Sequence, residues 1–346
     1  MTFKIATIEG DGIGEEVVKE ALKVITAAGV DFQATKFNLG AERYLKDGKV
    51  LPENELDALR KFDAIMLGAV GPPIGSTDVP AGLLERGLLL KLRFSLDLYI
   101  NLRPFIAPKG SVQEDADFAV VRENTEGTYA GEGGLLRQNT PFEVATQGSV
   151  NTRFGVERCV RFAFQLAMKR RKHLTLVHKT NVLTFSGGLW QRTFDEVSKE
   201  FPEVKTAYNH IDAACIYMVE KATAYDVIVT DNLFGDILTD LAGAVTGGIG
   251  LAASANLNPE KTGPSLFEPV HGAAHDIKGT GKANPLAAIK SAALMLDHLG
   301  EETIAQTITD AVTVESQILA TKDLALTTSE IGDRVAERVA NANNSN

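Results

Sequence analysis

Short apolar runs that stop abruptly at a charged or polar residue constrain this chain more than any other feature. Phe118 to Val121 ends in Arg122, Leu174 to His178 in Lys179, Asp226 to Thr230 in Asp231-Asn232, and Lys4 to Glu9 in the turn Gly10-Asp11-Gly12-Ile13-Gly14. Runs this short and apolar read as buried strands. Between them, apolar residues recur at helical spacing. Val17, Val18, Ala21, Leu22, Ile25 and Ala28 precede a stop at Gly29. Val156, Cys159, Val160, Ala163, Phe164, Ala167 and Met168 follow a cap at Asn151 or Thr152. Leu286, Ile289, Ala292, Ala293 and Leu296 lie between Asn284-Pro285, with Pro285 at the first helical position, and Gly300. Strand–helix alternation of this kind predicts an α/β fold with a largely parallel sheet covered by helices. Such sheets bind ligands beyond the carboxyl ends of their strands.

At 346 residues the chain has room for roughly two domains. A second strand is expected to end at Met66-Leu67-Gly68, followed by a loop from Gly71 to Gly82. Gly131 to Val150, with the turn Asn139-Thr140-Pro141, reads as a hairpin arm. The chain is expected to be loop-rich after Gly247, notably over Gly263 to Asn284, and to fray over Ala340 to Asn346. A formal charge of −10 argues against nucleic acid and anionic membrane as partners. Lys169-Arg170-Arg171-Lys172-His173 reads as cations at a helix C-terminus rather than a nucleic-acid patch. The uncharged run Leu241 to Asn258 is broken by four glycines and falls short of the ~20 apolar residues of a membrane span. Met1 to Gly10 has no apolar signal-peptide core, and Cys159 and Cys215 are too few for a disulfide framework. A cytoplasmic protein is expected.

Gly10-Asp11-Gly12-Ile13-Gly14 invites a dinucleotide fingerprint, but the third glycine of G-x-G-x-x-G would fall at Glu15. A tight βα turn is the better reading. Asp236 and Asp240 lie four apart just after a strand, on one face of an expected helix. Like charges at that spacing repel unless a cation sits between them, and two carboxylates with waters suit Mg²⁺ or Mn²⁺. Asp212 is a third candidate. A solvated acidic helix face is the alternative. Arg93, Arg103 and Arg122 are guanidiniums able to hold a di- or tricarboxylate if they converge. Taken singly, each reads more readily as a surface ion-pair partner. Lys179, at a strand tip, is a candidate base and Tyr129 a candidate acid.

Asn232-Leu233-Phe234-Gly235-Asp236-Ile237-Leu238-Thr239-Asp240, followed by Gly247-Gly248-Ile249-Gly250-Leu251, resembles the signature of the isocitrate and isopropylmalate dehydrogenases, the metal-dependent β-decarboxylating family. GDGIG, Asn101-Leu102-Arg103-Pro104, the stretch from Val121 to Tyr129, His178 to Val182 and Glu268 to Gly272 occur in the family's order, over residues 3 to about 300. Leu84 to Leu90 and Arg171 to Thr180 are most similar to the isopropylmalate branch of actinobacterial type.

The resemblance implies a non-Rossmann two-domain sandwich. Residues 1–98 plus 247–346 would form a discontinuous cofactor domain. Residues 99–246 would be inserted between them, with the arm at about 131–150, in a homodimer with sites at the interface. It implies that Arg93, Arg103 and Arg122 hold the malate carboxylates and that Asp236 and Asp240 bind metal. Asp212, also beside the substrate, and the base Lys179 would come from the partner subunit, and Tyr129 would act as acid. The cofactor set would be Glu268, His271, Gly272, Ala273, Ala274, Asp276, Ile277 and Asn284. Asp276 suits a ribose 2′-hydroxyl and would repel a 2′-phosphate, which favours NAD. His275 stands where proline is common in the family. Leu88 and Leu89 would line an isopropyl pocket with Glu85 beside them, and Arg86, on a regular helix, would point ~100° away from Glu85. This segment is one residue longer than in many relatives. The expected reaction is oxidative decarboxylation of 3-isopropylmalate to 4-methyl-2-oxopentanoate, a step toward leucine. D-malate, tartrate and homoisocitrate remain alternative substrates, and a catalytically silent relative remains an alternative of another class.

Overall fold

The computed structural model describes residues 2–322 and 324–343. In chain order its elements are β1 (Phe3–Gly10), α1 (Gly14–Ala27), β2 (Phe32–Lys36), α2 (Ala41–Asp47), α3 (Glu53–Leu59) and β3 (Ala64–Ala69). A π-helical turn (Glu85–Leu90) leads into α4 (Lys91–Ser95), β4 (Ile100–Ile106) and β5 (Asp117–Glu123). The hairpin β6 (Gly133–Leu136) and β7 (Val144–Gln147) precedes α5 (Arg153–Lys169), β8 (His173–His178), α6 (Thr184–Ser198), β9 (Lys205–His210), α7 (Ile211–Lys221), β10 (Val227–Thr230) and α8 (Asn232–Val245). The chain closes with β11 (Ala253–Leu257), β12 (Ser265–Pro269), α9 (Leu286–Leu299), α10 (Glu302–Thr321) and α11 (Thr328–Asn343).

One ten-stranded sheet runs in the order β2-β1-β3-β12-β11-β4-β5-β10-β8-β9. Its two flanks are parallel, as the alternation predicts. The centre is not: β12–β11, β11–β4 and β4–β5 pair antiparallel. That mixed centre separates the fold from an all-parallel dinucleotide sheet. Period-two alternation splits the side chains between two layers. Ile5, Met66, Val121, Val227, Ala255 and Phe267 face α1, α5, α6, α9, α10 and α11. Phe105, Phe118, Val120 and Ile228 face α7 and α8, while Ile8, Ile65, Leu67 and Leu266 face the α3–α4 side.

Thr152 caps α5 by accepting from the Gly155 N–H at 2.9 Å, and Gly300 ends α9 with a left-handed backbone. Pro285 precedes α9 rather than opening it, because the Asn284 side chain accepts from the Leu286 N–H and sets the boundary one residue later. The stretch expected to be loop-rich holds two buried strands, β11 and β12, which polar Ser254, Asn256, Ser265 and Glu268 disguise. Edge strands β2 and β9 escape apolar patterning because little of either is covered. Ala340 to Asn343 are the last turn of α11 rather than frayed, and Asn344 to Asn346 lie outside the described residues. The basic run after α5 is occupied in ion pairs: Arg170 and Arg171 with Asp117 and Asp226, Lys172 with Glu203. No helix among the described residues is long and apolar enough to cross a membrane.

Candidate active site

The site forms on the α8 face of the sheet centre, beyond the ends of β5, β10 and β12. Asp231 caps α8, its carboxylate accepting from the Phe234 N–H at 2.8 Å. The helix so aimed carries Asp236 and Asp240 one turn apart on a common side. Arg122, at the end of β5, is almost wholly buried against α8. A Cβ at Gly235 would lie 2.5 Å from its stem, so only glycine lets the arginine pass. The Arg122 guanidinium donates to Asp236 at 2.5 Å and to the Asn232 backbone and side-chain oxygens. Arg103 donates to Asn101 Oδ1 at 2.8 Å and Thr239 Oγ1 at 2.6 Å, and lies 3.8 Å from Asp236 and 3.9 Å from Asp240. Arg93, from α4, sits 3.5 Å from Glu268 Oε1. Arg93 and Arg103 lie close enough to Arg122 to bear on its charge. Burial, with Arg103 and Arg93 nearby, pulls the Arg122 pKa down to about 10, which leaves it charged near neutrality.

The Tyr129 hydroxyl donates to Asp236 Oδ2 at 2.7 Å, and Arg122 stacks over its ring. Burial, then this contact with Asp236, raises the phenol pKa, so Tyr129 stays protonated near neutrality. Burial pushes the Asp236 carboxyl up, but Arg122, the Tyr129 hydroxyl and Arg103 together outweigh it, and its pKa is lowered. Asp240, further out, is raised by burial. The repulsion expected of two carboxylates at this spacing is therefore relieved at Asp236 by cations rather than by solvent.

Lys179 and Asp212 form a separate pair, Nζ to Oδ1 at 2.7 Å, at the ends of β8 and β9. Among the described residues no hydrogen bond or ion pair joins them to Asp236 or Asp240, and no group of three acidic, His or Cys side chains within the chain is set to hold a metal. Behind Lys179, His178 is fully buried between Trp190 and Phe234, 3.5 Å from Asp231, with neither ring nitrogen hydrogen-bonded.

A cavity of about 170 Å³ is lined by Arg93, Arg103, Glu268, His271, Gly272 and Leu89, among others. Leu88 does not line it. It is fully buried in the cluster with Leu56, Leu92 and Leu96, because the turn that brings Leu89 to the site rotates Leu88 into the core. Glu85 and Arg86 line a neighbouring cavity together, with Tyr129 and Leu233. The segment that carries them is a π-turn, wider than an α-turn.

The GDGIG turn is structural. Gly12 presses on the Ala273 carbonyl, where a Cβ would stand 1.8 Å away, and its φ is +59°. Ala273 O accepts from the Ile13 N–H. The buried Asp11 carboxylate accepts from the N–H groups of Ala41, Glu42 and Gly71. The turn thus props the loop that carries His271 to Ile277. In that loop Ala274 has a positive φ, Asp276 is exposed, Ile277 is half-buried, His275 Nε2 donates to Gly71 O, and His271 Nε2 is buried without a partner.

A family profile described as isocitrate/isopropylmalate dehydrogenase matches residues 4–335. The chain belongs to this family. It is 59% identical to the 3-isopropylmalate dehydrogenase of Corynebacterium aurimucosum, over 96% of the chain and 98% of that protein. It is 57% identical to that of Nocardia farcinica, over 97% and 100%. Among solved structures, the isocitrate dehydrogenase of Methylococcus capsulatus superposes with a TM-score of 0.88 at 38% identity, covering 98% of this chain and 99% of that one. Family membership accounts for a sheet and helix order that a dinucleotide fingerprint alone would have misassigned.

Asn101, Asn232 and Thr239, which hold the arginines, and Asn256, which holds Asn101, have no assigned role in the sequence reading. Their signal was present: Asn101 and Asn256 interrupt apolar strands, and a buried amide demands partners.

Proposed function

We propose that the protein is a cytoplasmic, NAD-dependent dehydrogenase that oxidises and decarboxylates 3-isopropylmalate to 4-methyl-2-oxopentanoate. The observation that carries the reaction class is Asp236, which meets Arg122, Arg103 and the Tyr129 hydroxyl at one point. The substrate follows from near-full-length likeness to relatives that bear the isopropylmalate name.

Asp236 and Asp240 offer hard oxygen donors one helical turn apart, a set that fits Mg²⁺ or Mn²⁺, with Asp212 of the opposing subunit as third ligand. A divalent ion held there would supply Lewis acidity to the reaction. The loop with Glu268, His271, Gly272, Ala273, Ala274, Asp276, Ile277 and Asn284 fits NAD, since His271 Nε2 lacks a partner there. NAD held there would supply the hydride acceptor.

The protein's own residues do the rest. Arg93, Arg103 and Arg122 hold the malate carboxylates. Lys179 takes the C2 hydroxyl proton. Loss of CO₂ leaves an electron pair at C3, and Tyr129, protonated near neutrality, holds the proton delivered there. The strand order supports the division into 1–98 with 247–346 and 99–246: β2, β1, β3, β12 and β11 come from the first part, β4, β5, β10, β8 and β9 from the second. Exposed Ile216, Val219 and Ile237 on α7 and α8 support a homodimer closed over this face, and the exposed β6–β7 hairpin supports an arm.

Arg86 favours a second reading. Its place in the cavity with Glu85 and Tyr129 would suit an extra carboxylate, as in homoisocitrate. NADH production in the presence of Mg²⁺ decides. 3-Isopropylmalate should give the highest kcat/KM of the family's acids, and EDTA should abolish turnover; homoisocitrate or D-malate outrunning it would reject the first reading.

A further inference from the structure

Asn256 is fully buried in β11, and its amide makes three hydrogen bonds. Oδ1 accepts from Asn101 Nδ2 at 3.1 Å and from Asn124 Nδ2 at 2.9 Å, and Nδ2 donates to Glu268 Oε1 at 2.7 Å. Each direction ends at a site arginine. Asn101 Oδ1 accepts from Arg103 Nε at 2.8 Å, and Glu268 Oε1 lies 3.5 Å from Arg93 Nη2. The chain Arg103–Asn101–Asn256–Glu268–Arg93 therefore crosses the β4–β11 pairing, where the two halves of the sheet join. Arg122 stands outside it, held by Asn232 and Asp236.

Only an amide satisfies this position. Aspartate offers acceptors alone and would face the Glu268 carboxylate, while a serine hydroxyl is too short to span three partners. With water excluded, each link lost leaves a buried polar group unpaired.

We propose that Asn256 is a positioning residue that fixes the separation of Arg93 and Arg103 across the joint between the sheet halves, so that the two guanidiniums meet the substrate carboxylates as a pair. This rests on the reading of the arginines as carboxylate holders. The amide touches no substrate; it acts through Asn101 and Glu268.

Steady-state kinetics on the Mg²⁺-loaded enzyme test it, using Asn256→Ser alone and combined with Arg93→Lys, Arg103→Lys and Arg122→Lys. Asn256→Ser should raise the KM for 3-isopropylmalate on the order of ten-fold, with kcat within about two-fold. It should add little on top of Arg93→Lys or Arg103→Lys, and its full effect on top of Arg122→Lys. A general structural lesion would multiply equally in all three backgrounds, and that result overturns the proposal. Arg93→Lys and Arg103→Lys leaving the KM unchanged would instead overturn the parent reading, and the proposal with it. If Asn256→Ser does not fold, Asn101→Ser breaks the chain at its other link. It should then be non-additive with Arg93→Lys at the far end, and additivity there also refutes the proposal.

Discussion

Tyr129 shows how one side chain acquires a role from its neighbours. In sequence it is a loop aromatic among polar residues. In the fold it lies half-buried beneath Arg122 and donates to Asp236, and both burial and that carboxylate favour its protonated form. Tyr129→Phe removes the hydroxyl and little else. We expect kcat for 3-isopropylmalate to fall about 10²–10⁴-fold, the usual range for loss of a general acid, while the KM for NAD is retained. Unchanged kcat in a steady-state NADH assay would remove Tyr129 from the mechanism. Leu88 and Leu89 carry the opposite lesson. Adjacent and chemically identical, they are indistinguishable in sequence, yet one belongs to the core and the other to the cavity, because a π-turn sets their directions.

At the scale of elements, α9 illustrates the cost of burying a helix on nearly all sides. Lys290 is enclosed with the apolar residues, and burial lowers its pKa from 10.5 to about 8. Between these values the unfolded chain binds the proton more tightly than the folded one. Stability therefore rises with pH from about 8 to about 10.5, and below pH 8 the folded state carries the full penalty. At 1.36 kcal/mol per pKa unit the penalty is about 3 kcal/mol as an upper figure. Lys290→Met should raise stability to chemical denaturation at pH 7, and its advantage should shrink as pH rises toward 10; a pH-independent difference would contradict this account. α5, α9 and α1 were legible from their apolar stripes and their caps. β2, β9, β11 and β12 were not, because edge exposure and buried polar side chains erase the patterns by which strands are recognised.

The whole molecule decides where Lys179 and Asp212 act. They pair with each other, and among the described residues nothing links them to Asp236. If both serve the site of the opposing subunit, two differently damaged chains complement each other. Co-expressed Lys179→Ala and Asp236→Asn chains, each inactive alone, should form mixed dimers with one intact site. Random pairing would restore about a quarter of wild-type turnover. Activity no greater than that of the separate variants, with mixed dimers verified, would place Lys179 in its own chain's site or exclude it from the chemistry.

The residue order alone determined the α/β class, most helices and the identity of Asp236, Asp240, Lys179 and the three arginines as candidates. Those properties depend on local periodicity, caps and side-chain chemistry, all of which are written along the chain. Tertiary structure alone decided that the arginines converge, that Asn256 ties two of them together across β4 and β11, that Leu88 turns inward and that the sheet's centre runs antiparallel. Some of these pairings join residues far apart in the chain, as Asn101 with Asn256, and others join nearer ones, as Asn256 with Glu268; all are set by which strands and helices pack together and not by any segment's own preference.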